Sequence, residues 1–92
     1  MADTKKKVLI FEDNPSIQTL LKFFFQKRGV EILMRGDGTD AVALAAEFAP
    51  DLIMMDYIMP GKDGVEAVMD LRHAGVSIPI VMLTSKSFPA DL

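Results

Sequence analysis

The fold of this chain is decided by residues 8–15, which read Val-Leu-Ile-Phe-Glu-Asp-Asn-Pro. Four apolar residues in a row are typical of a strand that is buried on both faces, as in a parallel sheet. Two carboxylates, Glu12 and Asp13, follow, and then Asn14 can cap a helix whose first position suits Pro15. The stretch therefore predicts a buried strand, an acidic loop and the start of a helix.

The pattern after this stretch alternates helices with strands. The first predicted helix has one apolar face, with residues spaced i, i+3, i+4 and i+7: Ile17, Leu20, Leu21 and Phe24. Gly29 ends this helix, and residues 30–34 form a second predicted strand. A second helical face, ended by Pro50, consists of Ala41, Leu44, Ala45 and Phe48.

Two further apolar runs, residues 52–55 and 80–83, predict a third and a fourth buried strand. Between them, Asp63 and Glu66 form a capping box for a third helix, which Gly75 ends. Strands that alternate with helices imply a parallel sheet with right-handed crossovers. We therefore predict an α/β fold with a doubly wound sheet.

Composition limits the class of protein. The chain has 92 residues, half of them hydrophobic, which suits a single small domain. The absence of cysteine excludes disulfides and thiolate metal sites, and fits a reducing cytoplasm. A net charge of −3 argues against direct binding to nucleic acid. The sequence has no signal-peptide core and no apolar run of the ~20 residues that span a bilayer, so we expect a cytoplasmic location and no membrane contact.

Polar residues follow three of the predicted strands at their carboxyl ends. Glu12 and Asp13 follow the first strand, Asp56 the third and Thr84 the fourth. Ligands of doubly wound sheets bind beyond the carboxyl ends of the strands, so we expect these side chains in one crevice. Clustered carboxylates repel one another unless one is protonated or a cation joins them. Oxygen ligands without His or Cys favour Mg²⁺ as that cation.

These residues, together with Met59-Pro60-Gly61-Lys62-Asp63-Gly64, resemble the receiver domain of two-component response regulators. The similarity extends from about Lys7 to the last residue. The resemblance implies a flavodoxin-like fold and a signalling module. It implies no enzymatic activity other than the phosphorylation and dephosphorylation of the module's own aspartate.

The resemblance also implies a role for each matching residue. Asp56 is expected to accept a phosphoryl group from a histidine kinase or a histidine phosphotransfer protein. Asp13 is expected to bind Mg²⁺ directly, Glu12 to hold the waters of the ion, and the backbone carbonyl of Ile58 to be a further ligand. The hydroxyl of Thr84 is expected to meet the phosphoryl oxygens and to act as a switch.

The chain also departs from the family pattern. A receiver has a fifth strand, a fifth helix and a lysine at the end of that strand, and we expect this chain to be truncated after the fourth strand. Lys62 and Lys86 do not match the position of that lysine. The fourth strand, residues 80–83, would then be an open apolar edge, which invites pairing with another chain. We therefore predict a homo-oligomer formed through this strand or by swapping of elements.

Alternative interpretations remain at this stage. Glu12 and Asp13 could be solvated acids before a helix N-terminus, where negative charge is favoured, and Thr84 could be a helix cap. The whole chain could be a degenerate receiver that binds partners or itself without phosphorylation. A phosphatase of the haloacid-dehalogenase type would need a second Asp two residues after the nucleophile, and Ile58 stands there.

Overall fold

The computed structural model describes residues 5–83. They form a strand–helix alternation whose elements are β1 (Lys7–Phe11), α1 (Pro15–Gln26), β2 (Glu31–Arg35), α2 (Ala41–Phe48), β3 (Leu52–Asp56), α3 (Gly64–His73) and β4 (Ile80–Leu83). The predicted order of elements is confirmed, with the second strand one residue later than expected. Thr84 and Lys86 lie outside the described residues.

The four strands form one parallel sheet in the order β2-β1-β3-β4. The chain moves outward on one side of β1 and then returns to the other side, so the strand order reverses between β1 and β3. The predicted α/β doubly wound sheet is therefore confirmed. Among the described residues, β4 is an edge strand.

Two helices begin at the capping residues that the sequence predicts. The Asn14 side chain accepts hydrogen bonds from the backbone N–H groups of Ser16 (2.9 Å) and Ile17 (3.1 Å), and Pro15 occupies the first position of α1. The Asp63 side chain accepts one from Glu66 N–H at 2.9 Å. Local sequence thus fixes the direction in which the chain leaves β1 and the loop after β3.

The sheet has one face that two helices cover and one that a single helix covers in part. The covered face, packed against α2 and α3, contains the main cluster of buried apolar residues: Leu9, Phe11, Ala41, Ala45, Ile53, Met55, Met59, Ala67 and Leu71. The open face lies on the α1 side, where Met54 lines a groove of about 550 Å³ together with Leu20, Phe23 and Phe24. No residue of α1 is buried within residues 5–83.

The predicted apolar face of α1 is therefore only half correct. Its residues do lie at helical spacing, but Leu20 is 65% exposed and Phe24 45% exposed. The spacing identified the helix, whereas the amount of burial depends on what lies across the open face. Within the described part of the chain, no helix has the length and hydropathy needed to cross a membrane.

Candidate functional site

Three carboxylates meet at the carboxyl end of the sheet. Glu12, Asp13 and Asp56 each offer an oxygen atom, and all three atoms lie within 4.8 Å of one another. The cause is the parallel register of β1 and β3, in which Phe11 is opposite Met55, so the next residues along each strand direction, Glu12 and Asp56, become neighbours. The structure thus brings together the acidic residues singled out in the sequence.

The three acids differ in burial. Glu12 and Asp56 have no exposed surface, whereas Asp13 is exposed. Two buried carboxylates side by side are unfavourable because each loses water and repels the other. The site is therefore a buried acidic pair with a third carboxylate at its mouth.

The two carboxylate oxygens of Glu12 differ in their surroundings. Its Oε2 accepts a hydrogen bond from Asn14 N–H at 3.0 Å, but Oε1 is buried and has no hydrogen-bond partner among the described residues. Burial raises the pKa of Glu12, and the negative charges of Asp56 and Asp13 raise it further, against the opposing effect of the Asn14 N–H. A bound cation would offset the repulsion among these carboxylates and give the buried oxygen of Glu12 a partner.

The loop after β1 is held by backbone contacts on both sides. Glu12 N–H donates to Arg35 O of β2 at 2.8 Å, and the Glu12 carbonyl accepts a bond from Gln18 Nε2 at 2.5 Å. Together with the Asn14 cap, these bonds fix the chain on either side of Asp13. The acidic loop is thus set in position before any ligand binds.

The loop between β3 and α3 (residues 57–63) folds back onto Asp56. Gly64 N–H donates to Tyr57 O at 2.9 Å, and Tyr57 N–H donates to Leu83 O of β4 at 3.0 Å. A Cβ atom at Gly64 would overlap the backbone carbonyl of Asp56 and lie 3.1 Å from Tyr57 Cα. Glycine is therefore needed where α3 begins, because no side chain fits against the strand end.

Two further residues named in the sequence analysis, Ile58 and Lys62, lie in the loop after β3. Ile58 lies in the loop after Asp56 with its side chain 54% exposed, and the orientation of its carbonyl toward a metal stays a prediction. Lys62 makes an ion pair with Asp70 of α3, so its ammonium group is engaged there. Thr84, the predicted hydroxyl of the site, lies outside the described residues.

The sequence did not indicate a role for the turn between β2 and α2 (residues 36–38). Gly36, Asp37 and Gly38 pack against both loops of the acidic site. An Asp between two glycines was the available signal, since this combination suits a tight turn that approaches other backbone closely. The pattern alone does not show which segment lies opposite.

The donor set fits a small divalent cation. Three carboxylates supply only oxygen ligands, and one buried oxygen lacks any hydrogen-bond partner in the described chain. Mg²⁺ favours such ligands, usually binds one or two carboxylates and keeps several waters. The exposed side of Asp13 leaves room for those waters. On chemistry and geometry the site suits Mg²⁺.

Comparison with known proteins agrees with this fold. The chain matches the response regulator receiver domain family over residues 8–92. It is 38% identical over 86 residues to the alkaline phosphatase synthesis transcriptional regulatory protein PhoP of Bacillus subtilis (strain 168), covering 94% of this chain and 36% of that protein. The chain thus spans about a third of the length of this curated relative.

Solved structures give the same result. The BeF₃-activated N-terminal receiver domain of Klebsiella pneumoniae RstA superposes with a TM-score of 0.82 at 32% identity, covering 94% of this chain and 73% of that one. The receiver domain of the sensor histidine kinase PA1611 from Pseudomonas aeruginosa PAO1, with a magnesium ion in its active site cleft, gives 0.83 at 31% identity, covering 96% and 74%. This chain belongs to the response regulator receiver domain family.

Proposed function

We propose that this chain is a cytoplasmic receiver of a two-component phosphorelay and accepts a phosphoryl group on Asp56. The donor is a phosphohistidine on a histidine kinase or a histidine phosphotransfer protein. The observation that carries the proposal is the convergence of Glu12, Asp13 and Asp56 within 4.8 Å at the end of two neighbouring strands. A solitary acid at a strand end would support no such reaction.

In the proposed reaction, a carboxylate oxygen of Asp56 attacks the phosphorus of the phosphohistidine. A P–O bond forms, the P–N bond breaks, and its electron pair returns to the imidazole, which leaves an acyl phosphate on Asp56. Burial of Asp56 keeps the side chain in one position, and phosphoryl transfer depends mainly on positioning and charge compensation. Thr84 is the proposed hydroxyl donor to the phosphoryl oxygens.

The residues proposed to hold the metal ion are Glu12, Asp13, Asp56 and the backbone carbonyl of Ile58. Mg²⁺ bound there would supply positive charge to the phosphoryl oxygens. The buried Oε1 of Glu12 supports this assignment, because a cation or its water would give that atom the partner it lacks. The magnesium reported in the PA1611 receiver domain and the BeF₃ activation reported for RstA support the same assignment.

The test is an NMR titration with Mg²⁺ followed by beryllofluoride, a phosphoryl mimic. We expect saturable shifts of the Asp13, Asp56 and Tyr57 amides in the wild-type chain and none in Asp56→Asn. The matched control is Asp40→Asn, which removes the same charge from an exposed position and keeps the shifts. Equal shifts in wild type and Asp56→Asn would refute the proposal.

A second candidate function is homotypic association without phosphorylation, and the edge position of β4 in the sheet of residues 5–83 favours it. Val81 is 44% exposed on one side of this strand and Met82 37% exposed on the other. An apolar edge strand of this kind pairs readily with another chain. Light scattering after size exclusion should show a concentration-dependent dimer that Val81→Lys abolishes and Val42→Lys, on α2, retains. A monomer at high concentration would count against this function.

A further inference from the structure

The turn between β2 and α2 (residues 36–38) contacts both loops that form the acidic site. A Cβ atom at Gly36 would lie 3.6 Å from Asp13 Cα, on the loop after β1. One at Gly38 would lie 2.9 Å from the carbonyl oxygen of Lys62, on the loop after β3. The turn therefore contacts two segments that are almost 50 residues apart in sequence. One is the loop that contains Asp13, and the other is the loop that follows Asp56.

The carboxylate of Asp37 is directed at the second of these loops. Its Oδ1 accepts bonds from Thr39 N–H at 2.7 Å and from Thr39 Oγ1 at 2.5 Å, which fix the side chain within its own turn. Its Oδ2 faces Gly61, where a Cβ atom would lie only 2.5 Å away. The Thr39 hydroxyl and N–H lower the pKa of Asp37, and Lys62 N–H lowers it further by a hydrogen bond.

The backbone of the loop permits this close approach, because Gly61 has no side chain. Gly61 has φ of +78°, a left-handed conformation that other residues adopt at a cost. Met59, 6% exposed, lies beside Gly38 and anchors the loop in the core. The same loop begins directly after Asp56 and returns to it at Gly64. Its position therefore determines where the end of β3 and the Ile58 carbonyl lie.

We propose that Asp37 is a positioning residue of the phosphorylation site, whose carboxylate clamps the loop after β3 at Gly61 and Lys62. This inference rests on the function proposed above. Asp37 does not touch the metal ion or the phosphoryl group. It acts by keeping the residues that follow Asp56 in the arrangement that presents them to the ion.

The test compares three variants of the 92-residue chain. Asp37→Ala removes the clamp. Asp37→Asn keeps the size and an oxygen for Thr39, but turns an N–H donor toward the Lys62 N–H. Asp40→Ala is the matched control, because Asp40 is an exposed acid of the same turn region whose side chain makes no capping bond to α2. It removes the same charge and leaves the clamp intact.

Mg²⁺ affinity is measured for each by NMR titration. Removal of groups that orient metal ligands commonly lowers affinity 10–100-fold, and we expect the lower end, roughly tenfold, for Asp37→Ala relative to Asp40→Ala. Asp37→Asn should resemble Asp37→Ala, because it too loses the contact with the loop. In metal-free protein, exchange of the Gly64 amide should be faster in both Asp37 variants and unchanged in Asp40→Ala.

The outcomes separate the two proposals. If wild type binds Mg²⁺ and Asp37→Ala matches Asp40→Ala in both affinity and amide exchange, the role of Asp37 is refuted and the proposed function stands. If wild type and Asp56→Asn alike bind no Mg²⁺, the proposed function fails, and the positioning role fails with it. Faster exchange with unchanged affinity would reduce Asp37 to a structural residue and overturn the proposal.

Discussion

The two faces of this sheet are built from similarly apolar strands, yet within residues 5–83 two helices cover one face and α1 alone covers part of the other. On the covered face, Leu71 and Ala67 of α3 have no exposed surface. On the open face, α1 leaves Leu20, Phe23 and Phe24 substantially exposed. The difference shows that apolar sequence alone does not produce a core, because burial requires an opposing surface as well.

The acidic site depends mainly on the covered face. The loop after Asp56 is anchored there by Met59, and the turn at Gly38 packs against Ala67 of α3. Regions with many buried apolar contacts open least often, whereas regions with few such contacts open first. The parts of the site that pack against this face, the loop after β3 and the turn at Gly38, are therefore expected to open least often.

The largest expected loss of stability comes from a substitution in the core of the covered face. Leu71→Ala removes a fully buried side chain and leaves a cavity, so it should cost about 2–5 kcal/mol of unfolding free energy. The matched change on the open face, Leu20→Ala, should cost less than about 1 kcal/mol because the side chain is mostly in water. Urea unfolding followed by circular dichroism measures both. Equal costs would contradict the contrast between the faces.

The next effect tests the contact between α3 and the acceptor strand. Gly64→Ala should cost about 3 kcal/mol, because the new methyl group meets the Asp56 backbone, which cannot move aside. Gly29→Ala is the control: it meets nothing within 4 Å, and its φ of +70° should cost only about 1 kcal/mol. Urea unfolding again gives both values. A smaller cost at Gly64 would show that the strand end is deformable.

Substitution of the buried acid Glu12 should have a moderate effect, and it should stabilise the fold rather than destabilise it. Glu12→Gln should stabilise the metal-free chain by about 1–2 kcal/mol, because it removes a buried charge with an unpaired oxygen. The pKa of Glu12 is raised in the folded state, so wild type loses stability as pH rises above 4.5, the ordinary pKa of this group. The gain should therefore vanish in acid and grow as the pH rises above 4.5.

Thermal unfolding of wild type, Glu12→Gln and the exposed control Glu47→Gln across this pH range checks the prediction. Added Mg²⁺ should stabilise wild type and Glu47→Gln more than Glu12→Gln, since the latter has lost a proposed ligand side chain. A destabilised Glu12→Gln at neutral pH would mean that the carboxylate is satisfied by contacts other than those described.

The smallest effect concerns the helix of the open face. Asn14→Ala removes the cap of α1 and should cost about 1 kcal/mol. Asn14→Ser retains a capping oxygen and should restore most of that loss. Urea unfolding measures the stability, and the amide exchange of Ser16 and Ile17 reports the cap itself. No change in either would show that α1 is held by its packing against the sheet alone.

Much of the fold could be predicted from local sequence. Apolar runs located all four strands to within a residue or so, and Asn14 and Asp63 marked two helix starts that the structure confirms. These signals can be recognised in the sequence because strands, caps and turns depend on residues that are close together in the chain. The convergence of the acids also followed, since it needs only a parallel, doubly wound sheet in which β1 and β3 are neighbours.

Other features could not be read in this way. The pairing of Lys62 with Asp70, the contact of Asp37 with Gly61 and the unpaired oxygen of Glu12 join or isolate groups that the sequence does not mark as partners. Each depends on the relative position of two segments in the folded chain. That position must be known to within a fraction of an ångström to tell whether two groups are in contact.

By itself, then, the sequence determined the alternation of elements, the helix caps and the strand ends at which the acids stand, because each arises from neighbouring residues. Tertiary structure alone decided which face of the sheet is closed, how deeply Glu12 and Asp56 are buried, and that the turn at Asp37 meets the loop after β3. Those properties belong to surfaces in contact, and a surface exists only once the crossovers have brought distant segments together.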